Sequence, residues 1–200
     1  LQLIGPIVTS TPQAAAIYAP NGRLLREEDV MRNPAYAHFL DEVAAGLSAL
    51  PAEGPLHAGD LAAYTVYERE PLTVDLPGGT LFTNPPPSLG GSIIAHALAD
   101  LPDRLTALDL LEALRDATDH NKTLAPTSVR GTTHISVTDG VQTVAMTVSN
   151  GSCSGVMLGD TGVQLNNMMG ESDLHPDGHI AQVGSRIRSM MAPSLVVRDG

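Results

Sequence analysis

From Gly131 to Ser149 the sequence leaves little freedom. Ile135 and Val137 alternate with Ser136 and Thr138, and Val144 and Met146 alternate with Ala145 and Thr147. A side-chain period of two is the signature of half-buried strands. Asp139-Gly140 falls between the two runs, and this dipeptide favours the tight turn of a β-hairpin. The stretch therefore predicts two antiparallel strands. Helical patterning precedes it and a polar, glycine-rich segment follows, so the class is α+β.

Thr132 stands at the head of the first strand, directly after Gly131. A β-branched residue suits a pleated surface, which is reason enough for a threonine there. A second reading is a latent nucleophile. Cleavage between Gly131 and Thr132 would give Thr132 a free α-amine beside its own hydroxyl. An α-amine ordinarily titrates at about 7.7–8.0, which makes it a base suited to neutral pH. Threonine activated by its own N-terminal amine is a one-residue nucleophile–base arrangement.

Two hundred residues suit one domain with a sizeable core, and 42% apolar content is that of a globular chain. Aromatics make up 3%, so that core must rest on aliphatic side chains and Met. The formal net charge is 11 − 22 = −11, which argues against a nucleic-acid partner. The single cysteine, Cys153, excludes an intrachain disulfide. No apolar run is long enough to span a membrane. A start at Leu1 without a basic leader and an end in strand rhythm at Val197-Arg198-Asp199-Gly200 read as a piece of a longer protein.

Asn33-Pro34 predicts a helix start, with Asn as N-cap and Pro in the first turn. Tyr36, Phe39, Leu40, Val43, Leu47 and Leu50 recur at three and four and predict its buried face. Residues 1–30 are mixed. A short helical turn is expected at Asp60–Tyr64, and strand pairs from Thr65 to Phe82 around Pro77-Gly78-Gly79. Helices follow from Ser92 to Leu101 and from Arg104 to His120, the second with Leu105, Leu108, Leu111 and Leu114 buried. Gly90-Gly91 before the first of these suits close packing or an anion, and the Gly-Lys-Ser/Thr end of a P-loop is absent.

Gly151-Ser152-Cys153-Ser154-Gly155 has the spacing of a nucleophile elbow, but no helical pattern follows it, so a glycine loop is the better reading. Asp173, His175, Asp177 and His179 alternate as a metal set could, yet Pro176 and Gly178 mark an exposed turn, and no metal or other cofactor is expected.

Further motifs stand in a fixed order: Asp60-Leu61-Ala62-Ala63-Tyr64, Pro85-Pro86-Pro87-Ser88-Leu89-Gly90-Gly91, Thr132-Thr133-His134, Thr147-Val148-Ser149-Asn150-Gly151, Leu165-Asn166-Asn167-Met168-Met169-Gly170-Glu171 and Ser189-Met190-Met191-Ala192-Pro193-Ser194. Together they resemble the γ-glutamyltranspeptidase family of N-terminal nucleophile hydrolases, from about Ile17 onward. The resemblance implies an αββα sandwich, here partial, of two stacked, mostly antiparallel sheets flanked by helices. It implies self-cleavage at Gly131–Thr132, dividing one structural domain into a large-subunit part, 1–131, and a small-subunit part, 132–200. Thr132 would be the nucleophile and Thr147 its hydrogen-bond partner. Ser149 or Asn150, with Glu171, would hold the donor's α-amino end, and Ser189, beside Met190, its α-carboxylate. The donor would be a γ-glutamyl compound such as glutathione, with water or an amino acid or peptide as acceptor. Family members are commonly exported.

Met190 stands where the family often has a second serine. The family's carboxylate-clamping arginine would lie before Leu1 and its oxyanion glycines after Gly200, and loss of one oxyanion donor costs about 10²–10³ in rate. The expectation is a poor or inactive catalyst on its own. Two other readings fit the same residues: an amidase of the same superfamily acting on another acyl group, and a non-processing homologue with a binding or structural role.

Overall fold

A computed structural model describes residues 2–46, 56, 58–99, 101–102, 104–120, 132–171, 174–175 and 182–198. Packing divides the chain into two compact units where its length suggested one domain. The first is Leu1–Tyr67 with Asn150–Met168, and the second is Glu68–Ser149 with Met169–Gly200. This division is not the 131/132 division of the expected cleavage. The chain passes from one unit to the other three times, so neither unit is one continuous stretch.

In the first unit, α1 (Gly5–Val8), α2 (Pro12–Tyr18), α3 (Pro34–Ala44) and α4 (Ala58–Ala63) accompany the irregular segment 150–168. Asn33 caps α3 as its sequence predicts, its Oδ1 accepting from Tyr36 N at 3.0 Å. The expected apolar face of α3 is not buried: Tyr36, Leu40 and Val43 are 42–47% exposed, because none of the described residues covers them. Leu47 and Leu50 lie outside the described residues. Side-chain bonds fasten the helical region to segment 150–168. Thr11 Oγ1 donates to Gly155 O at 3.2 Å, Tyr18 OH to Gln164 Oε1 at 3.1 Å and Asn33 Nδ2 to Gly162 O at 2.8 Å. Val8, Ala14, Cys153 and Leu158 form the small core.

The second unit is built on an antiparallel sheet of β1 (Leu72–Leu76), β2 (Gly79–Thr83) and β5 (Ser194–Arg198), in the order β1-β2-β5. A two-residue turn, Pro77-Gly78, joins β1 to β2, with Gly78 at φ +79°. Val74 and Leu81 pair across the strands and are buried, and α5 (Leu89–Ala99) packs on β1 and β2. Ser88 caps α5, its Oγ accepting from Gly91 N at 3.1 Å and donating to Met191 O at 2.8 Å. Gly90 and Gly91 serve close packing: a Cβ on Gly91 would collide with Asn84 O, and one on Gly90 with Met190 O.

α6 (Ala107–His120) packs on α5 through its small side: Ala117 is fully buried and Ala113 half-buried. The expected leucine face points outward instead, with Leu105, Leu108, Leu111 and Leu114 49–62% exposed. Small side chains let two helices approach closely, and His96 Nε2 meets Asp116 Oδ2 at 2.8 Å beside that contact. A second, two-stranded antiparallel sheet pairs β3 (Thr132–Thr138) with β4 (Thr143–Ser149). The architecture is thus α+β, with antiparallel sheets and helices.

Candidate active site

Turn length decides which side chains meet in the β3–β4 hairpin. Asp139 Oδ1 accepts from Val141 N at 2.8 Å and from Gln142 N at 2.7 Å, while Asp139 N donates to Gln142 O at 3.2 Å. These bonds close a four-residue loop, 139–142, with Gly140 at φ +89°. Thr138 then pairs with Thr143, and Thr132 with Ser149. A two-residue loop at Asp139-Gly140 would have slid the register by two and set Thr132 opposite Thr147.

One face of the hairpin carries Thr132, His134, Ser136 and Thr138 opposite Ser149, Thr147, Ala145 and Thr143. The other carries Thr133, Ile135 and Val137 opposite Val148, Met146 and Val144. The half-buried strands expected from the alternation are only partly so. All of β3 is exposed, and the half-buried residues of β4 are Ala145, Thr147 and Ser149 on the polar face. Ala145 lines a cavity of about 290 Å³ with Phe82, Thr83 and Leu195 of the three-stranded sheet. The polar row is therefore the side that lies against the unit.

Thr132 Oγ1 donates to Ser149 Oγ at 3.4 Å, a long contact between two hydroxyls. Thr147 Oγ1 instead lies 2.8 Å from His134 Nδ1, and His134 Nε2 lies 3.1 Å from Ser136 Oγ. The partnership expected between Thr132 and Thr147 thus falls to Ser149. His134 is a member of the row that sequence reasoning missed, although its position two residues after Thr132 was enough to place it on the same face. Gly131 lies outside the described residues.

The remaining expected site residues lie on separate segments. Asn150 belongs to the first unit, where Asn150 Nδ2 donates to Gln164 O at 3.4 Å and its carbonyl accepts from Cys153 N at 3.0 Å and Asn167 N at 3.3 Å. Asn167 Oδ1 accepts from Ser152 N at 2.8 Å, so the Asn166-Asn167 stretch helps to fix this turn. Glu171, in the second unit, is buried after a short 3₁₀ turn, Met168–Gly170, and its carbonyl accepts from Leu174 N at 3.0 Å. Ser189 bridges to Ser88, and its carbonyl accepts from Leu89 N at 2.8 Å. Met190 beside it is 40% exposed.

Cys153 is buried in a turn at φ +62°, and burial pushes its thiol up from the ordinary range. A low-pKa thiolate is what a nucleophilic cysteine needs, so Cys153 is not built as one. Of the alternating acidic and histidine set, His175 is buried, while Asp173, Asp177 and His179 lie outside the described residues. Among the described residues no His, Cys, Asp and Glu side chains cluster as a metal site, and no helix is long and apolar enough to cross a membrane.

The fold defines the class. The crystal structure of cephalosporin acylase from Bacillus halodurans superposes with a TM-score of 0.58 at 20% identity, over 92% of this chain and 45% of that one. The two chains share an α+β fold, and that fold is the class to which this chain belongs. Within that class, the profile of the family described as Gamma-glutamyltranspeptidase matches residues 5–115 and 99–200, and the chain belongs to that family. Among its relatives are the glutathione hydrolase proenzymes of Escherichia coli strain K12, 26% identical over 70% of this chain, and of Pseudomonas aeruginosa, 29% identical over 70%. Glutathione hydrolase 2 of Arabidopsis thaliana is 26% identical over 92%. The chain spans 36%, 37% and 46% of the lengths of these three proteins, respectively.

Proposed function

We propose that Thr132 is the nucleophile of an amide-cleaving or acyl-transferring site, and that its chain is freed by self-cleavage at Gly131–Thr132. The observation that carries this reading is the Thr132 hydroxyl at the head of β3, 3.4 Å from the Ser149 hydroxyl. In the first step the Thr132 hydroxyl adds to the Gly131 carbonyl. The C–N bond to Thr132 breaks as the nitrogen takes a proton, leaving an ester, and water hydrolyses the ester to a Gly131 carboxylate. The freed α-amine then takes the hydroxyl proton when Thr132 attacks a substrate amide, and an acyl-threonine ester forms as the amine leaves. Water or an incoming amine resolves that ester. Ser149, able both to donate and to accept, holds the Thr132 oxygen in line.

Family membership and the names of the relatives favour a γ-glutamyl amide of the glutathione type as donor. The acceptor is water or an amino acid or peptide amine. Glu171 and Asn150 are assigned to the donor's ammonium end and Ser189 to its carboxylate. Met190 supplies no hydroxyl beside Ser189, which also suits an acyl group with a smaller polar end.

Intact mass after incubation at neutral pH tests the first step. The expected result is two fragments meeting at Gly131/Thr132, and none from Thr132→Ala. A chain that stays whole in both cases supports a binding or structural role instead. Release of an anilide from γ-glutamyl and from other acyl anilides then separates the γ-glutamyl reading from a different amidase. With the nucleophile removed, turnover should fall by at least about 10⁴-fold.

A further inference from the structure

The first unit holds a cavity of about 340 Å³ whose lining includes none of the residues assigned above to the acyl-transfer chemistry. Three segments enclose it: α2, the start of α3 and the loop from Met157 to Gly162. Its walls are fixed by bonds already in place. Asn33 Nδ2 donates to Gly162 O at 2.8 Å, and Leu158 N donates to Val163 O at 2.8 Å. Gly162 sits at φ +70°, and a Cβ there would collide with Asn33 Oδ1 and Tyr36 N, so the loop lies directly on the cap of α3. Ala16, Ile17 and Met157 give the cavity an apolar wall. Arg32 and Asp160 also line it, both on exposed positions, and neither forms an ion pair with the other or with any other described residue.

Two opposite charges that no described residue pairs with, beside an apolar wall, suit a ligand with the same three parts. A simple carboxylate would meet Arg32 but also Asp160, in a chain of net charge −11. A zwitterion is repelled by neither. The volume lies at the small end of the range of ligand pockets. We propose that this cavity binds a free apolar L-amino acid, with its α-carboxylate on Arg32, its α-ammonium on Asp160 and its side chain against Ala16, Ile17 and Met157. A guanidinium suits the carboxylate because it can donate two parallel hydrogen bonds. Its occupancy is independent of whether Thr132 is a nucleophile.

The test is titration of L-leucine into the 200-residue chain, followed by calorimetry and by backbone amide shifts. Saturable binding is expected, with the Ala35 and Gly159 amides moving. Arg32→Gln and Asp160→Asn should each weaken binding about tenfold, as expected for loss of one charge-assisted contact. N-acetyl-L-leucine, which lacks the ammonium, and L-leucine methyl ester, which lacks the carboxylate, should be weakened to the same degree. Ala16→Phe, at an exposed position, should fill the cavity and abolish binding; if that variant fails to fold, the two charge variants decide. Equal binding of leucine and N-acetyl-leucine would overturn the proposal, as would unchanged affinity in both charge variants or no saturable signal.

Discussion

The second unit contains two hairpins built on opposite terms. In β1–β2 a two-residue turn, Pro77-Gly78, sets the register, and Val74 and Leu81 are buried at 7% and 5% exposure. In β3–β4 a four-residue turn sets the register, and Ile135, Val137, Val144, Met146 and Val148 are 40–62% exposed. One hairpin is held by what it buries. The other is held by its ladder and its turn, and the side it lays against the unit is a row of hydroxyls and an imidazole. Burial holds β1–β2 in place, whereas β3–β4, whose apolar face is exposed, depends on its turn for register.

The largest expected effect separates the two directly. Leu81→Ala should cost about 2–5 kcal/mol, the usual range for a buried leucine. Ile135→Ala should cost less than about 1 kcal/mol, as exposed substitutions do. Urea unfolding of both variants measures the difference, and equal losses would mean that the apolar face of β3 is covered. Next in size is Ser149→Ala. If Ser149 orients Thr132, cleavage at Gly131–Thr132 should slow about tenfold while the unfolding midpoint stays put. Thr147→Ala should slow it less, because Thr147 Oγ1 engages His134 and not Thr132. The reverse order would restore the partnership between Thr147 and Thr132.

These comparisons show why the fold was more legible than the site. Asn33-Pro34 carries its own physics, a capping side chain followed by a fixed φ, and the helix starts there. Thr11-Pro12 has the same form, with Thr11 Oγ1 accepting from Ala14 N at 3.3 Å, and the same rule would have found α2. The α6 leucines misled because period alone marks an apolar face without saying what reaches it. α5 comes close on the alanine side. Hairpin existence was legible from alternation and Asp139-Gly140. Its register was not, because that depends on how many residues the turn consumes, and a shift of two leaves every side chain on its face while changing every partner. Thr132 was legible as a candidate, but Ser149 as its neighbour was not.

A smaller effect probes that turn. Gly140 sits at φ +89° with open space where a Cβ would go. Gly140→Ala meets no collision there, only an unfavourable backbone region, and should cost about 1 kcal/mol. The amides of Thr132 and Ser149 should still show cross-strand contacts. If the register instead slides to a two-residue turn, Thr132 would face Thr147, and cleavage would respond to Thr147→Ala in place of Ser149→Ala.

The smallest effect is electrostatic. Backbone N–H bonds from Gln142 and Val141 hold the Asp139 carboxyl below its usual value. The folded-state value is depressed, so the carboxylate favours the closed turn above the unfolded carboxylate range. That contribution is lost as pH falls through the lower, folded value. β1–β2 has no side chain acting this way in its Pro77-Gly78 turn, so acid should distinguish the two hairpins. Amide exchange followed downward from neutral pH should rise first at Val141 and Gln142, after correction for the intrinsic pH dependence of exchange. Leu81, in the buried strand, should stay protected over the same range. Asp139→Asn keeps an oxygen acceptor but cannot titrate, and it should remove the pH dependence while leaving the turn formed. If exchange at Val141 and Gln142 follows the same acid profile in that variant, the turn is not held by the carboxylate.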